Sequence, residues 1–399
     1  MDSRIGSRRA RAVPLLAACG LLVLPYTLFQ LLLPGIMSAP SEQARFFSLF
    51  SLGALAGAAA AMFWSVVLRR TALLRVLIGG SGVLLCLNAV LPLETCVPFV
   101  AFPLGALTTA GGLGAVSALA HLYPELPRRT ASLIFAIHAF ASMVFPVIVV
   151  ALTWAVSNDA HAALTAGLCA VSALLLCNAA WLRADKEPEA VVVQVTEFPR
   201  SHVGLLVVGG LLGTLHAATD NLIAQWAMLY FTQSYPSADL PPALILSLCA
   251  FAYFATRLAL ARLPERWGEI PLLILPGAFG AAALWMGFTS TNYLSAATWH
   301  VIATLCFGLE YPALMGFIGR RTSGSSAPVI AASTLGCYAV SSLLNPLLGS
   351  IATVENSARA AMMWLPLGFV AFSAVAAMTV LWLASAKCKP KAMLGAAET

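Results

Sequence analysis

The chain has 399 residues, of which 60% are apolar and only 10% charged, with a formal net charge of +6 and a mean hydropathy of +0.89. A soluble domain carries about a quarter charged residues, so this composition leaves too little polar surface for water and excludes a soluble globular protein. The apolar residues come in blocks of roughly 18–30, long enough to cross a ~30 Å hydrocarbon layer as helix, and they lack the period-2 alternation of a membrane barrel.

The basic start, Arg4, Arg8, Arg9 and Arg11, leads into an apolar block from Val13 to about Ser38. That block is too long for a signal-peptide core and has no clear small-residue cleavage site, so it reads as a retained span. Further spans are expected at about 45–68, 76–93, 97–120, 130–154 and 161–182, then at about 203–231, 241–262, 271–290, 295–318, 328–352 and 361–385. The polar stretch 183–202 divides them into two sets of six: 1–182 and 203–399. Almost all of the nine cysteines lie in apolar blocks, with Cys96 placed in a loop, and no Cys/His ligand spacing occurs. No disulfide, metal site or cofactor is therefore expected.

Charge fixes the orientation. Of 22 basic residues, 20 fall at one set of span ends, and only Arg45 and Arg359 fall opposite. The positive-inside rule then places both termini and the linker in the cytoplasm, and the positive charge suits anionic headgroups, not nucleic acid. A weak internal repeat joins the halves: Arg128-Arg129-Thr130 and Arg320-Arg321-Thr322 each precede a span carrying a proline, Pro146 and Pro346. Proline kinks a membrane helix where neighbours re-satisfy the freed carbonyl, so both are expected at equivalent places beside a central cavity.

Several local patterns go further. The fifth predicted span carries His138-Ala139 and Pro146; the seventh carries Asp220, Trp226 and Tyr230; the eighth ends in Thr256-Arg257 before ARLPERWG; the tenth holds GLEYPALMG. With six plus six spans and a cytoplasmic linker, the chain resembles the major facilitator superfamily over nearly its whole length, and within it the fucose-permease-like branch. It departs from the branch in lacking an Asn before His138, in having Asp220 where Glu is usual, and in a first cytoplasmic loop, LRRTALLR, without the usual glycines and acid. The resemblance implies an all-α polytopic membrane protein, twelve transmembrane helices in two pseudo-symmetric six-helix bundles. It also implies alternating access, a small polar substrate such as a sugar, and proton coupling, in a bacterial inner (plasma) membrane and as a monomer.

Only Asp220 and Glu310 are acids well inside spans. An isolated carboxylate in hydrocarbon faces a cavity or a partner, and a carboxyl that alternates between neutral and charged forms suits proton coupling. His216 lies one turn before Asp220, so the pair either shuttles a proton or is a structural hydrogen bond. Glu310 is open to pairing with Arg257 or with backbone at an inner gate. His138, Asn221, Gln225, Trp226 and Tyr230 are substrate-binding candidates, because amides beside aromatics suit a polyhydroxylated ligand; helix–helix contact and interfacial anchoring are the plainer readings. Arg257, Pro146 and Pro346 are gating candidates. His300 and His121 are read as interfacial, and Gln30, Asn88 and Asn178 as cavity polars in a half without a mid-span acid. Export of drugs or another metabolite is the alternative. A receptor or scaffold needs no mid-membrane acid, and an intramembrane enzyme needs a nucleophile–base cluster the sequence lacks.

Overall fold

The computed structural model describes residues 2–37, 39–63, 71–90, 93–122, 127–182, 200–264, 269–321, 327–354 and 357–387. The greater part of the predicted linker, 183–199, and the tail from 388 lie outside them. Every regular element among the described residues is an α-helix, and twelve helical stretches are long and apolar enough to cross a membrane.

The spans agree with the sequence reading to within a few residues, with two corrections. The second span begins at Pro40, five residues before the predicted start at Arg45. The helix of the fourth span begins at Leu93, which puts Cys96 in helix and not in a loop. The connections are tightened by local chemistry. Asp159 caps the sixth span, its Oδ1 accepting from the amides of His161 at 2.9 Å and Ala162 at 3.2 Å. Asn292 caps the tenth through the Ser295 amide at 3.1 Å.

The first span, Arg11–Ile36, is two helices, Asp2–Leu21 and Leu24–Ile36. Pro25 has no amide hydrogen to continue the ladder, so the helix breaks just before it. The break, at Leu22 and Val23, lies mid-span just before Tyr26. The second and fourth spans (Pro40–Met62 and Phe99–Leu119) cross at backbone distance. A Cβ on Gly53 or Gly105 would collide with the facing helix backbone, the close approach that small residues allow in lipid.

The buried apolar residues form three clusters. One draws mainly on the first six spans, and the other two mainly on the last six. Contacts also run between the halves on both sides of the midplane. On the side of the basic loops, buried Arg128 of the fifth span donates from Nη2 to the Leu263 carbonyl at 2.7 Å and also to Pro264. On the opposite side, Gln30 donates to the Ala224 carbonyl, and Gly349 packs against Ala44 so closely that a Cβ would clash.

The prolines of the repeat agree in depth and differ in facing. Pro146 lies 19 residues beyond Pro127, the first residue of its helix, and Pro346 lies 19 beyond Ala327. Pro146 is buried, but Pro346 is exposed on the outside of the bundle. The expectation that both border a central cavity therefore fails for Pro346, because equal depth does not fix which face of a helix turns inward.

Candidate functional site

The seventh span, Val203–Ser234, brings its mid-membrane polar residues to two separate places. Asp220 points toward the eighth span, Pro242–Arg262, where the Tyr253 hydroxyl donates to its Oδ1. Asp220 is part-exposed, and its Oδ2 has no hydrogen-bond partner among the described residues. Asn221 turns to the first and eleventh spans: its Oδ1 accepts from the Tyr26 hydroxyl at 3.2 Å, and its Nδ2 donates to Ser341 Oγ at 3.0 Å. The first, seventh and eleventh spans thus meet through Asn221 at the seam between the halves.

His216 turns the other way. Its Nδ1 lies 2.7 Å from Glu310 Oε2 of the tenth span, Tyr293–Gly319. Two expectations are corrected here: His216 does not pair with Asp220, and Glu310 does not pair with Arg257. Glu310 is 0% exposed, and its Oε1 sits with Ser373 Oγ over Gly277, where a Cβ would strike both. Removing that Cβ is what makes room for a carboxyl inside the second half.

Arg257 follows Tyr253 by one turn. Its guanidinium lies 4.3 Å from the centroid of the Tyr253 ring, and its Nη1 donates to the Phe135 carbonyl of the fifth span at 3.0 Å. Phe135 in turn packs edge-on against Tyr311 at 5.0 Å. This ties the eighth and tenth spans to the fifth, across the seam.

His138 is exposed, yet it lies on the side of its helix away from the outward-facing Leu133, Phe140 and Val147. At ~100° per residue it falls between Phe135, which touches the second half, and Ile134 and Phe145, which are packed in the first. A residue exposed on that face lines the space between the bundles, and Arg257 lies within its electrostatic reach.

The remaining candidates are packed away. Trp226 is 1% exposed and donates from Nε1 to Asn345 Oδ1 at 3.0 Å, while Tyr230 is 0% exposed and donates to the Gly287 carbonyl at 3.1 Å. Gln225 is buried, and neither of its side-chain polar atoms has a hydrogen-bond partner among the described residues. His300 is not interfacial. It is 3% exposed, ringed by Tyr230, Phe231 and Phe288 at centroid distances of 5.5, 5.0 and 5.1 Å. In the first half Asn178 bonds the Pro14 carbonyl at 3.2 Å and Asn88 is fully buried; of the three polars expected at a cavity, Gln30 is the one that reaches the other half.

The sequence reading missed Tyr26, Tyr253 and Ser341 as site residues, since hydroxyls in apolar helices carry no motif. Arg128 was read only as part of a repeat, although a buried arginine at a span end was signal enough for a cross-seam contact.

Twelve apolar helices joined across a mid-membrane seam of polar side chains are the architecture of a polytopic integral membrane protein. Comparison of the fold makes it specific: the chain has the major facilitator fold. It is similar to the E. coli fucose:proton symporter, with 15% identity and a TM-score of 0.59 over 92% of this chain and 98% of that one. It is similar to the human organic anion transporter MFSD10, with 13% identity and a TM-score of 0.60 over 92% and 99%. It is also similar to a bacterial homologue of the human lysosomal transporter Spinster in an inward-facing and occupied conformation, with 10% identity and a TM-score of 0.66 over 93% and 96%. No family model matches the sequence, and no curated protein is significantly similar to it.

Proposed function

We propose that this protein is a secondary transporter that moves a small polar metabolite of the sugar class by alternating access, coupled to protons. In this reading residues 1–182 and 203–399 are the two rocking bundles, with 183–202 and both termini cytoplasmic. The protein acts as a monomer in a bacterial inner membrane and has no enzymatic activity.

The observation that carries the reading is Asp220: a mid-span carboxyl at the seam, bonded on one oxygen by Tyr253 and free on the other. Intramembrane carboxyls mark substrate and ion pathways. A group whose charge is tolerated only while hydrated biases which side the seam opens to. The Asn221–Tyr26–Ser341 contacts supply paired donors and acceptors beside it, which suit hydroxyl-bearing ligands. Structural neighbours include a fucose:proton symporter and a nucleoside transporter, beside an organic anion transporter.

The test is uptake into proteoliposomes across a panel of sugars, with and without a pH gradient. If the proton is co-transported, acidifying the outside speeds uptake and collapsing the gradient stops accumulation. Asp220→Asn keeps shape and hydrogen bonding but cannot titrate, so it should abolish accumulation and leave exchange of bound substrate intact. Normal concentrative uptake by Asp220→Asn would remove Asp220 from the coupling step.

A further inference from the structure

Arg257 sits at the seam with much of its hydrogen-bonding capacity unused. A cation inside a membrane span pairs with an acid or with backbone carbonyls, and among the described residues Arg257 has one such carbonyl and no carboxylate oxygen within 4.0 Å. It is 7% exposed. Of its three nitrogens, Nη1 donates to the Phe135 carbonyl at 3.0 Å, Nε is buried with no partner, and Nη2 donates to nothing among the described residues. Nε is closed off from any ligand, which leaves Nη2 as the guanidinium nitrogen able to donate a charge-assisted hydrogen bond to a carboxylate. Tyr253 holds that cation over its ring, 4.3 Å from the centroid, while its hydroxyl bonds Asp220. On the facing half, His138 is exposed to the same space and lies within reach of Arg257.

We infer that Arg257 is the anion-binding residue of the central site, and that the transported metabolite bears a carboxylate, as a sugar acid or another hydroxycarboxylate does. The carboxylate docks on Nη2, and its hydroxyl-bearing part lies toward Asn221 and Ser341. This rests on the proton-coupled reading above and adds a charge balance to it. With Arg257 positive and Asp220 negative, the empty site is formally neutral. One carboxylate entering with one proton for Asp220 leaves it neutral again, so transport moves no net charge. The other titratable groups near Asp220 are Tyr26 of the first span, Cys249 and Tyr253 of the eighth and Cys337 of the eleventh. Tyr311 of the tenth faces Arg257, and Glu310 of the tenth is paired with His216. Of all these, only Asp220 joins a free carboxyl oxygen to a place at the seam.

The experiment compares matched probes on the full-length protein: D-galactose against D-galacturonate, and D-glucose against D-gluconate. Thermal-shift titration gives binding. Proteoliposomes with a trapped pH dye, on a supported membrane for current, give transport. The acids should bind at least about tenfold more tightly than their neutral partners, the scale of one charge-assisted hydrogen bond. Arg257→Gln should remove that preference and Arg257→Lys should keep part of it. Uptake of the acids should carry protons inward with no current and be unaffected by a potassium–valinomycin potential. Equal binding of acid and neutral probes, binding of none of the acids, or an undiminished preference in Arg257→Gln would each overturn the inference. If Arg257→Gln fails to fold, the Lys variant and the wild-type acid-against-neutral comparison decide. Acid binding without proton movement would sink the proton-coupled reading and leave Arg257 as the anion site. A neutral sugar that accumulates with an inward current would do the reverse.

Discussion

Asp220 and Glu310 are both carboxyls deep in spans of the same half, on helices that touch, yet they are held in opposite ways. Glu310 is sealed inside the second half, with His216 on one oxygen and Ser373 and Gly277 behind the other. Asp220 stands at the seam, part-exposed, with a single phenolic donor. Glu310 pairs with His216, one turn nearer the basic loops than Asp220. The larger difference is access, and a carboxyl can exchange a proton with a changing surround only if the surround reaches it. Glu310 is accordingly read as part of the second bundle's internal bracing, and Asp220 as its working face.

The largest effect that would break this comparison is on stability. Glu310→Leu strands His216 in a closed site, and removing one partner of a buried pair costs about 3–5 kcal/mol. The purified variant should lose stability in thermal melts or detergent-resistance assays, while Asp220→Asn should stay within about 1.5 kcal/mol of wild type. Equal melting of the two variants would erase the distinction. A smaller effect belongs to Tyr253→Phe. It keeps the ring under Arg257 and removes the hydroxyl from Asp220, so proton-driven accumulation should fall about tenfold, the worth of one hydrogen bond to a charged group, with little change in melting. Unchanged accumulation would mean that the phenol does not serve Asp220. The smallest concerns the repeat prolines. Pro346 faces outward, and Pro346→Ala should change melting by under about 0.5 kcal/mol and leave transport rates near wild type. Pro146→Ala alters a buried kink and should slow turnover. Equal effects would restore the symmetric reading of the two.

Much of the fold was legible in the sequence because each span obeys a one-dimensional constraint. Hydrocarbon thickness sets helix length, and the basic residues mark one set of ends. Arg257 and Asp220 stood out for the same reason, being polar groups where lipid tolerates few. Pairing was not legible. His216 and Asp220 are four apart, about 40° and ~6 Å on an ideal helix, which reads as one face. The seventh span, however, runs between neighbours, and that small turn sends His216 to the tenth span and Asp220 to the eighth. Trp226 and Tyr230 had the residue types of a ligand site, but neighbouring helices cover them.

The sequence by itself therefore determined that this chain is a bundle of twelve membrane helices, which ends share a side, and which few polar groups lie at mid-depth, since burial in lipid depends only on position along the chain. Only the tertiary structure decided that Glu310 is closed off with His216, that Pro346 faces outward, and that Arg257 keeps Nη2 unpartnered among the described residues. Those facts depend on which helix lies opposite which face, and helical periodicity within a single span carries no information about its neighbour.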